Sequence, residues 1–382
     1  MNILGSEDQI GVSSKRRIDF YVLGAVIPIM AAGLITMKSF IGNGNFFSRQ
    51  IIWIIVSLII FYIVSRIDFR VLKRTYVIVA LYFLSIASLL SLFVFGTITN
   101  GAKSWIHLGF FSVQPSDPAK IILILLLAKY FSRRHMEIAN IRHILVSGIY
   151  AFIPFALVVL SPDFGSAMTM FFIWFGMVLF SGISKKHLAL VFLMAAIAFA
   201  GAWNLAFKDY QKKRILNFLN PTADVRGSGY NARQAMITVG SGEIFGKGIG
   251  YGTQSRLQFL PEYQTDFIFA AFSEEWGFVG ILILFTCFGI IIFRTLYSSS
   301  KGETNFEILF GIGLAMFFMA HLTINIGMNI GLMPVTGIPV PFMSYGGSHL
   351  LTEFVGLGLL MSMSKYSRAT HKDRINNEFL GY

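Results

Sequence analysis

Thr265-Asp266-Phe267-Ile268-Phe269-Ala270-Ala271-Phe272-Ser273-Glu274-Glu275-Trp276-Gly277-Phe278-Val279-Gly280-Ile281-Leu282 opens an apolar run that continues to Phe293. About 17 to 25 apolar residues cross a bilayer as a helix. The run over 267–293 is therefore long enough to span. Lipid offers no partner to backbone N–H and C=O groups, so such a run is expected to be a helix and not an open strand. Two carboxylates, Glu262 and Asp266, stand at its edge, and Glu274 and Glu275 stand inside it. Ionisable groups are costly at that boundary, which makes them candidates for function.

Nine further runs of spanning length lie near 18–37, 50–65, 75–97, 117–132, 143–160, 165–182, 187–206, 305–329 and 346–364. The chain is thus expected to be an all-α polytopic membrane protein of about ten transmembrane helices, one domain over 1–382. Composition agrees: 55% of the 382 residues are hydrophobic and only 13% charged, against roughly 25% charged in soluble domains. The first run reads as a span without a small-residue cleavage site, so no cleavable signal peptide is expected. Cys287, the single cysteine, lies in an apolar run, which excludes an intramolecular disulfide framework and a Cys-x-x-Cys metal site.

Lys and Arg placement gives the orientation. One set of connections holds Lys15, Arg16, Arg17, Arg66, Arg70, Lys73, Arg74, Arg133, Arg134, Arg142, Lys185, Lys186, Arg294, Lys301, Lys365, Arg368, Lys372 and Arg374. The short loops of the other set hold only Lys38, Arg49 and Lys103. Both termini are therefore expected in the cytoplasm. The net charge of +12 is mostly this topology signal and does not point to nucleic acid. Between spans seven and eight lies a large extracytoplasmic loop, 207–266, too long for a passive connection. Its charges sum to +3, which suits a phosphate-bearing lipid substrate.

Several motifs face that side. Trp105, in Gly101-Ala102-Lys103-Ser104-Trp105-Ile106-His107-Leu108-Gly109, reads either as an interfacial anchor or as a wall of a substrate groove. In Gln114-Pro115-Ser116-Asp117-Pro118-Ala119-Lys120, Ser116 is placed to cap span four, and Asp117 and Lys120 are spaced to pair on one helix face. Asp163, in the turn before Gly165, reads equally as a helix cap or a site residue. The glycines at 227–229, 240–242 and 246–252 permit turns, close backbone approach or an anion nest, without the order of a P-loop. If 262–266 is already helical, Glu262 and Asp266 share a face; an acid near low dielectric gains proton affinity and suits a general base. His321 reads as an interhelical hydrogen bonder, and no His/Cys/carboxylate set has zinc spacing. The Pro- and Gly-rich segment Pro334-Val335-Thr336-Gly337-Ile338-Pro339-Val340-Pro341-Phe342-Met343-Ser344-Tyr345 is expected to break the helix at membrane depth and line a cavity.

Taken with Phe218–Pro221, Gly227–Asn231, Phe259–Gly280 and Asn325–Ser348, these motifs give the chain a resemblance to the SEDS family, the shape, elongation, division and sporulation proteins. The match covers nearly the whole chain. Phe218-Leu219-Asn220-Pro221, Gly252-Thr253-Gln254 and Pro334–Pro339 resemble the RodA branch more than the FtsW branch. Asp117 stands where the family usually carries Glu, and His349 replaces a small residue.

The resemblance implies a peptidoglycan glycosyltransferase of cell-wall elongation and cell shape, in the cytoplasmic (inner) membrane, polymerising lipid II on its outer face. It implies Asp266 as the catalytic base and Trp105 as a residue important for activity, with Asp117, Lys120, Asp163 and Glu262 lining the substrate. Charge and loop position, and not a motif, offer Arg214, Arg226, Arg233 and Lys247 for the diphosphate. That leaving group needs cationic side chains or a divalent ion such as Mg or Mn, and the sequence does not choose. The implied partners are a class B penicillin-binding protein with a transpeptidase domain and membrane proteins of the elongation complex. The alternatives are an FtsW-like septal enzyme in cell division and a lipid II flippase. His321, Glu353, Glu274 and Glu275 would line the flippase's deeper route.

Overall fold

A computed structural model describes residues 19–38, 46–99, 102–107, 109, 111–133, 141–205, 207, 209–220, 228–257 and 259–380. Arg226, Pro221 and Gly227, all part of the expectations above, lie outside these residues. Long helices occupy the ten apolar runs: α1 (Phe20–Lys38), α2 (Phe46–Val64), α3 (Thr75–Phe95), α4 (Ser116–Ser132), α5 (Ile141–Leu160), α6 (Phe164–Phe180), α7 (Lys185–Leu205), α11 (Ile268–Ser300), α12 (Asn305–Asn329) and α13 (Gly347–Leu380). Six of them, α1, α2, α3, α5, α11 and α12, are long and apolar enough to cross a membrane by length and composition; α6 is apolar but shorter.

The helices sort by what surrounds them. In α4, Leu123, Ile124, Leu125, Leu127 and Ala128 are all buried, and in α12 so are Phe310, Leu314, Phe317 and Phe318. These two helices pack against each other at the centre, and α6, α11 and α13 close around α12. The periphery is apolar but bare. Phe20, Ile59, Phe83, Phe152, Ile197 and Phe293 all point outward. A helix apolar on its outer face has lipid and not water as its solvent.

The long loop is folded. It holds α8 (Asp209–Leu219), α9 (Ser228–Gly240) and the short α10 (Thr253–Arg256). A second small structure, the antiparallel sheet β1 (Thr97–Thr99), β2 (Ala102–His107) and β3 (Ser112–Val113), carries Trp105, paired with Thr97 in register. The Lys103 N–H donates to the Ser161 carbonyl at 3.2 Å, tying this sheet to the turn before α6.

The most consequential departure from a plain helix lies in α11. Gly277 has φ 65° and ψ −166°, which interrupts the helix one residue past Trp276. An interruption in an apolar segment orphans backbone groups that must find partners. The loop after α9 supplies them. Lys247 and Gly248 donate to the carbonyls of Glu274 and Glu275, and the carbonyls of Glu243 and Ile244 accept from Phe278 and Val279, all at 2.9–3.1 Å. A Cβ on Gly277 would lie 2.2 Å from the Gly246 nitrogen, so only glycine permits this backbone approach. Gly242, Gly246 and Gly252 likewise lie close against Ser273, Glu275 and Glu274 of α11. The nest-like N–H of Gly250 donates to the Glu275 carboxylate at 2.9 Å.

The Pro-rich segment behaves as its composition demands. Helix α12 ends at Asn329, the chain runs without helix to Gly346, and Ile338, Val340, Phe342 and Met343 are buried within it. The helical continuation through 262–266 does not form. Glu262 has φ 48°, and its carbonyl accepts from both Thr265 and Phe267 in a compact turn, so α11 starts only at Ile268. The left-handed residue after Pro261 reverses the chain where a helix would have carried on.

Candidate active site

Helix ends meet at one end of the bundle, among them the N-termini of α4, α6, α11 and α13 and the C-terminus of α12. Their backbone N–H groups give the N-terminal ends a partial positive charge, which favours acids and anions there. Asp266 sits in the turn just before α11. Three successive carbonyls of that turn are held from outside it. Gln264 accepts from the Tyr345 N–H at 2.9 Å, Thr265 from the Ser344 hydroxyl at 2.7 Å, and Asp266 from the Asn325 side-chain amide at 2.9 Å. The turn is therefore fastened to α12 and to the Pro-rich segment along its whole length.

The Asp266 carboxyl lies against Gly337, where a Cβ would come within 3.2 Å of Oδ2. As a residue Asp266 is partly exposed, yet protein packs densely around its carboxyl. Burial pushes its pKa from 3.8 up to about 7; the like charges of Glu262 and Asp163 add to the rise, and the Arg214 guanidinium opposes it. Glu262, Asp163 and Arg214, all singled out in the sequence, thus lie near enough to act on the Asp266 carboxyl. Arg214, on α8, reaches the Val335 carbonyl at 3.4 Å and lines a cavity of about 80 Å³ with Asn217, Phe218, Met236 and Gly331.

Asp163 has a capping role here. Its Oδ1 accepts from the Ser166 N–H at 3.0 Å at the start of α6, and its Oδ2 accepts from the Gln114 side-chain amide at 2.8 Å. Ser116 does not cap α4. Pro115 holds the cap position, because Gln114 and Pro115 already accept the first helical hydrogen bonds. The Ser116 hydroxyl points instead to Ser166 at 3.3 Å, across to α6.

Asp117 and Lys120 pair as their spacing expects, at 3.1 Å, with both side chains almost fully buried. The sequence reading did not foresee what joins them. His349 on α13 brings Nδ1 to 3.7 Å from Asp117 and Nε2 to 2.7 Å from Glu353. His321 on α12 stacks on His349 with ring centroids 4.6 Å apart. Glu353 also accepts from the Phe342 N–H at 2.9 Å, holding a residue whose φ is 59°. The only signal for this assembly was His349 itself, four residues before Glu353 and thus on the same face of α13.

Trp105, Arg233 and Lys247 stand on other segments of the chain. Trp105 is partly exposed on β2, beside the turn that bears Asp163. Arg233 is exposed on α9. Lys247 pairs with Glu274 at 2.8 Å, and the same carboxylate accepts from Thr253, Gln254 and Ser255. Lys247 therefore helps hold the loop on α11.

The chain matches the family model FtsW/RodA/SpoVE, described as cell cycle protein, over residues 16–369. It is 35% identical over 292 residues to the peptidoglycan glycosyltransferase MrdB of Escherichia coli K12, covering 76% of this chain and 79% of that protein. Among solved structures it resembles a chain of a peptidoglycan synthase complex that coordinates polymerization and crosslinking, with a TM-score of 0.78, 28% identity and coverage of 91% and 98%. It also resembles the rod shape determining protein RodA of Thermus thermophilus, with a TM-score of 0.68, 26% identity and coverage of 91% and 97%.

Proposed function

The chain belongs to the FtsW/RodA/SpoVE family, and we propose that Asp266 is the base with which this multi-pass membrane peptidoglycan glycosyltransferase extends glycan strands from lipid II. In that reaction the C4 hydroxyl of one lipid-linked disaccharide attacks C1 of the growing chain's terminal sugar. The hydroxyl proton passes to the Asp266 carboxylate, a C–O bond forms at C1, and undecaprenyl diphosphate leaves with the bonding pair. The observation that carries this reading is the state of Asp266. A carboxyl raised to about 7 is half ionised near neutral pH and basic enough to take the proton. Its main chain is fixed by neighbours, so the carboxylate is held in place before substrate arrives.

Arg214 is the cation next to Asp266 and serves the developing diphosphate charge. Among the described residues no three His, Cys or carboxylate groups converge as a metal cage, though a divalent ion carried on the diphosphate needs only about one or two carboxylates. Lipid II enters from the outer leaflet, with both termini in the cytoplasm and the site on the outer face of the inner membrane. The partner is a class B penicillin-binding protein whose transpeptidase cross-links the strand. The resemblance to a chain of a polymerising and crosslinking complex supports that pairing. Elongation is the favoured setting, on the likeness to a rod-shape protein. A flippase finds less support, because Glu274 and Glu353 are engaged with Lys247 and His349 inside the protein.

The test mixes the purified protein and its partner with labelled lipid II. Glycan polymer is expected from the wild type and, from Asp266→Ala, only at a residual rate about a hundredfold or more lower. Lipid II crossing liposome bilayers without polymer would favour the flippase instead.

A further inference from the structure

Helix α12 ends in two asparagines one turn apart, Asn325 and Asn329, both fully buried. The Asn325 amide uses all of its groups. Its Nδ2 donates to the Asp266 carbonyl at 2.9 Å and to the Ile338 carbonyl at 2.6 Å, and its Oδ1 accepts from Asn329 Nδ2 at 3.0 Å. Asn329 Nδ2 also lies 2.8 Å from the Asn325 carbonyl and 3.4 Å from that of Asp266. The two carbonyls on Asn325 belong to the two walls of the site. One is on Asp266 itself, and the other follows Gly337, whose Cα backs the Asp266 carboxyl.

We infer that Asn325, oriented by Asn329, is a positioning residue for glycosyl transfer: it sets the Asp266 turn against the Pro-rich wall at one distance. The inference rests on Asp266 being the base. A single –NH2 bridging two carbonyls fixes their separation as no apolar side chain would. The i, i+4 spacing puts Asn329 on the same helix face, where it fixes which way the Asn325 amide points. Leaving either carbonyl unpaired in a buried place would let the turn shift, and misplacement by about 1 Å costs about a hundredfold in rate. The groups that face Asp266 and feel such a shift are Glu262 of its own turn, Asp163 before α6 and Arg214 on α8.

The test compares wild type, Asn325→Leu, Asn329→Ala, Asp266→Ala and Asp266→Ala/Asn325→Leu, each purified with the transpeptidase partner and assayed with labelled lipid II. Thermal midpoints in detergent give the folded fraction. For folded Asn325→Leu, kcat is expected to fall about 10- to 100-fold with KM within about threefold, and the acid limb of the pH–rate profile to move by about half a unit or more. Asn329→Ala, which keeps the Asn325 bond but loses its orienting partner, is expected to fall between the two. In the Asp266→Ala background, Asn325→Leu is expected to lower the residual rate no further. Wild-type kcat and pH profile per folded Asn325→Leu, with Asp266→Ala reduced to its residual rate, would overturn this inference alone. A further loss in the double variant would do the same. Full activity of Asp266→Ala would instead overturn the parent reading.

Discussion

Asp266 and the Asp117–Lys120 pair show two different fates of charge at the same end of one bundle. Asp266 answers burial by holding its proton more tightly, up to about 7. In the fold its ionised form is disfavoured, so stability is highest at low pH and declines as pH rises from the ordinary carboxylate range through about 7. Asp266→Asn lacks that cost. Its thermal midpoint in detergent is expected to equal the wild type's near pH 3 and exceed it at pH 8, the gap opening from the ordinary carboxylate range upward. A lower midpoint at both pH values would contradict the burial argument. Asp117 is paired instead, and the pair is nearly fully enclosed. Lys120→Met leaves a buried carboxylate short of its main cation, and a loss of about 3–5 kcal/mol is expected. Lys120→Met/Asp117→Leu is expected to regain most of it, read as the denaturation midpoint of each variant. The pair was legible from its spacing of three, as was the Asp163 cap. The His349–Glu353 link to Asp117 was not, because it depends on how α13 lies against α4, and no local spacing encodes that.

At the scale of elements, apolar length located the ten long helices, since the run lengths are set by what lipid requires, except that α11 and α13 run on to Ser300 and Leu380 past the ends of their apolar runs. Interruption was harder to read. Pro- and Gly-rich composition announced the break after α12, but Gly277 stands alone in an otherwise continuous apolar helix. Its break exists only because the loop after α9 completes its hydrogen bonds. The turn at 261–267 was missed for a similar reason: a left-handed Glu262 is dictated by its fastening to α12 and the Pro-rich segment, and glutamate itself gives no sign of it. Gly277→Ala is expected to lower the thermal midpoint and expose the 241–252 loop to protease, as its Cβ would meet the Gly246 backbone at 2.2 Å. Gly289→Ala on the same helix, with open space at its Cβ, is expected to keep or slightly raise stability. Equal effects of the two would mean that the loop does not depend on the break.

The whole molecule gathers residues spread from Gln114 to Glu353 at one end of the bundle, the end proposed from the Lys and Arg pattern to face away from the cytoplasm. A Cys287→Ser background carrying either Lys186→Cys or Arg233→Cys tests the placement. A membrane-impermeant maleimide is expected to label the cysteine at 233 in intact spheroplasts and the one at 186 only after lysis. The reverse pattern would put the site in the cytoplasm. Acids held beside a basic loop at a lipid boundary are costly unless they serve a site, which is what made Asp266, Glu262 and Asp163 legible as candidates. Charge and loop position alone offered Arg214 and Lys247; Arg214 acts on the Asp266 carboxyl, whereas Lys247 pairs with Glu274. The central claim is that Asp266 takes the proton in glycan extension. Its most direct test is the rate of lipid II polymerisation by wild type and Asp266→Asn, with the partner present, between pH 5 and 9. The wild-type rate is expected to fall as pH drops through about 7, and Asp266→Asn to be slower by about a hundredfold or more at pH 8, the gap narrowing toward pH 5 as the wild type loses its base. An Asp266→Asn rate within about threefold of wild type at pH 8 would contradict the claim.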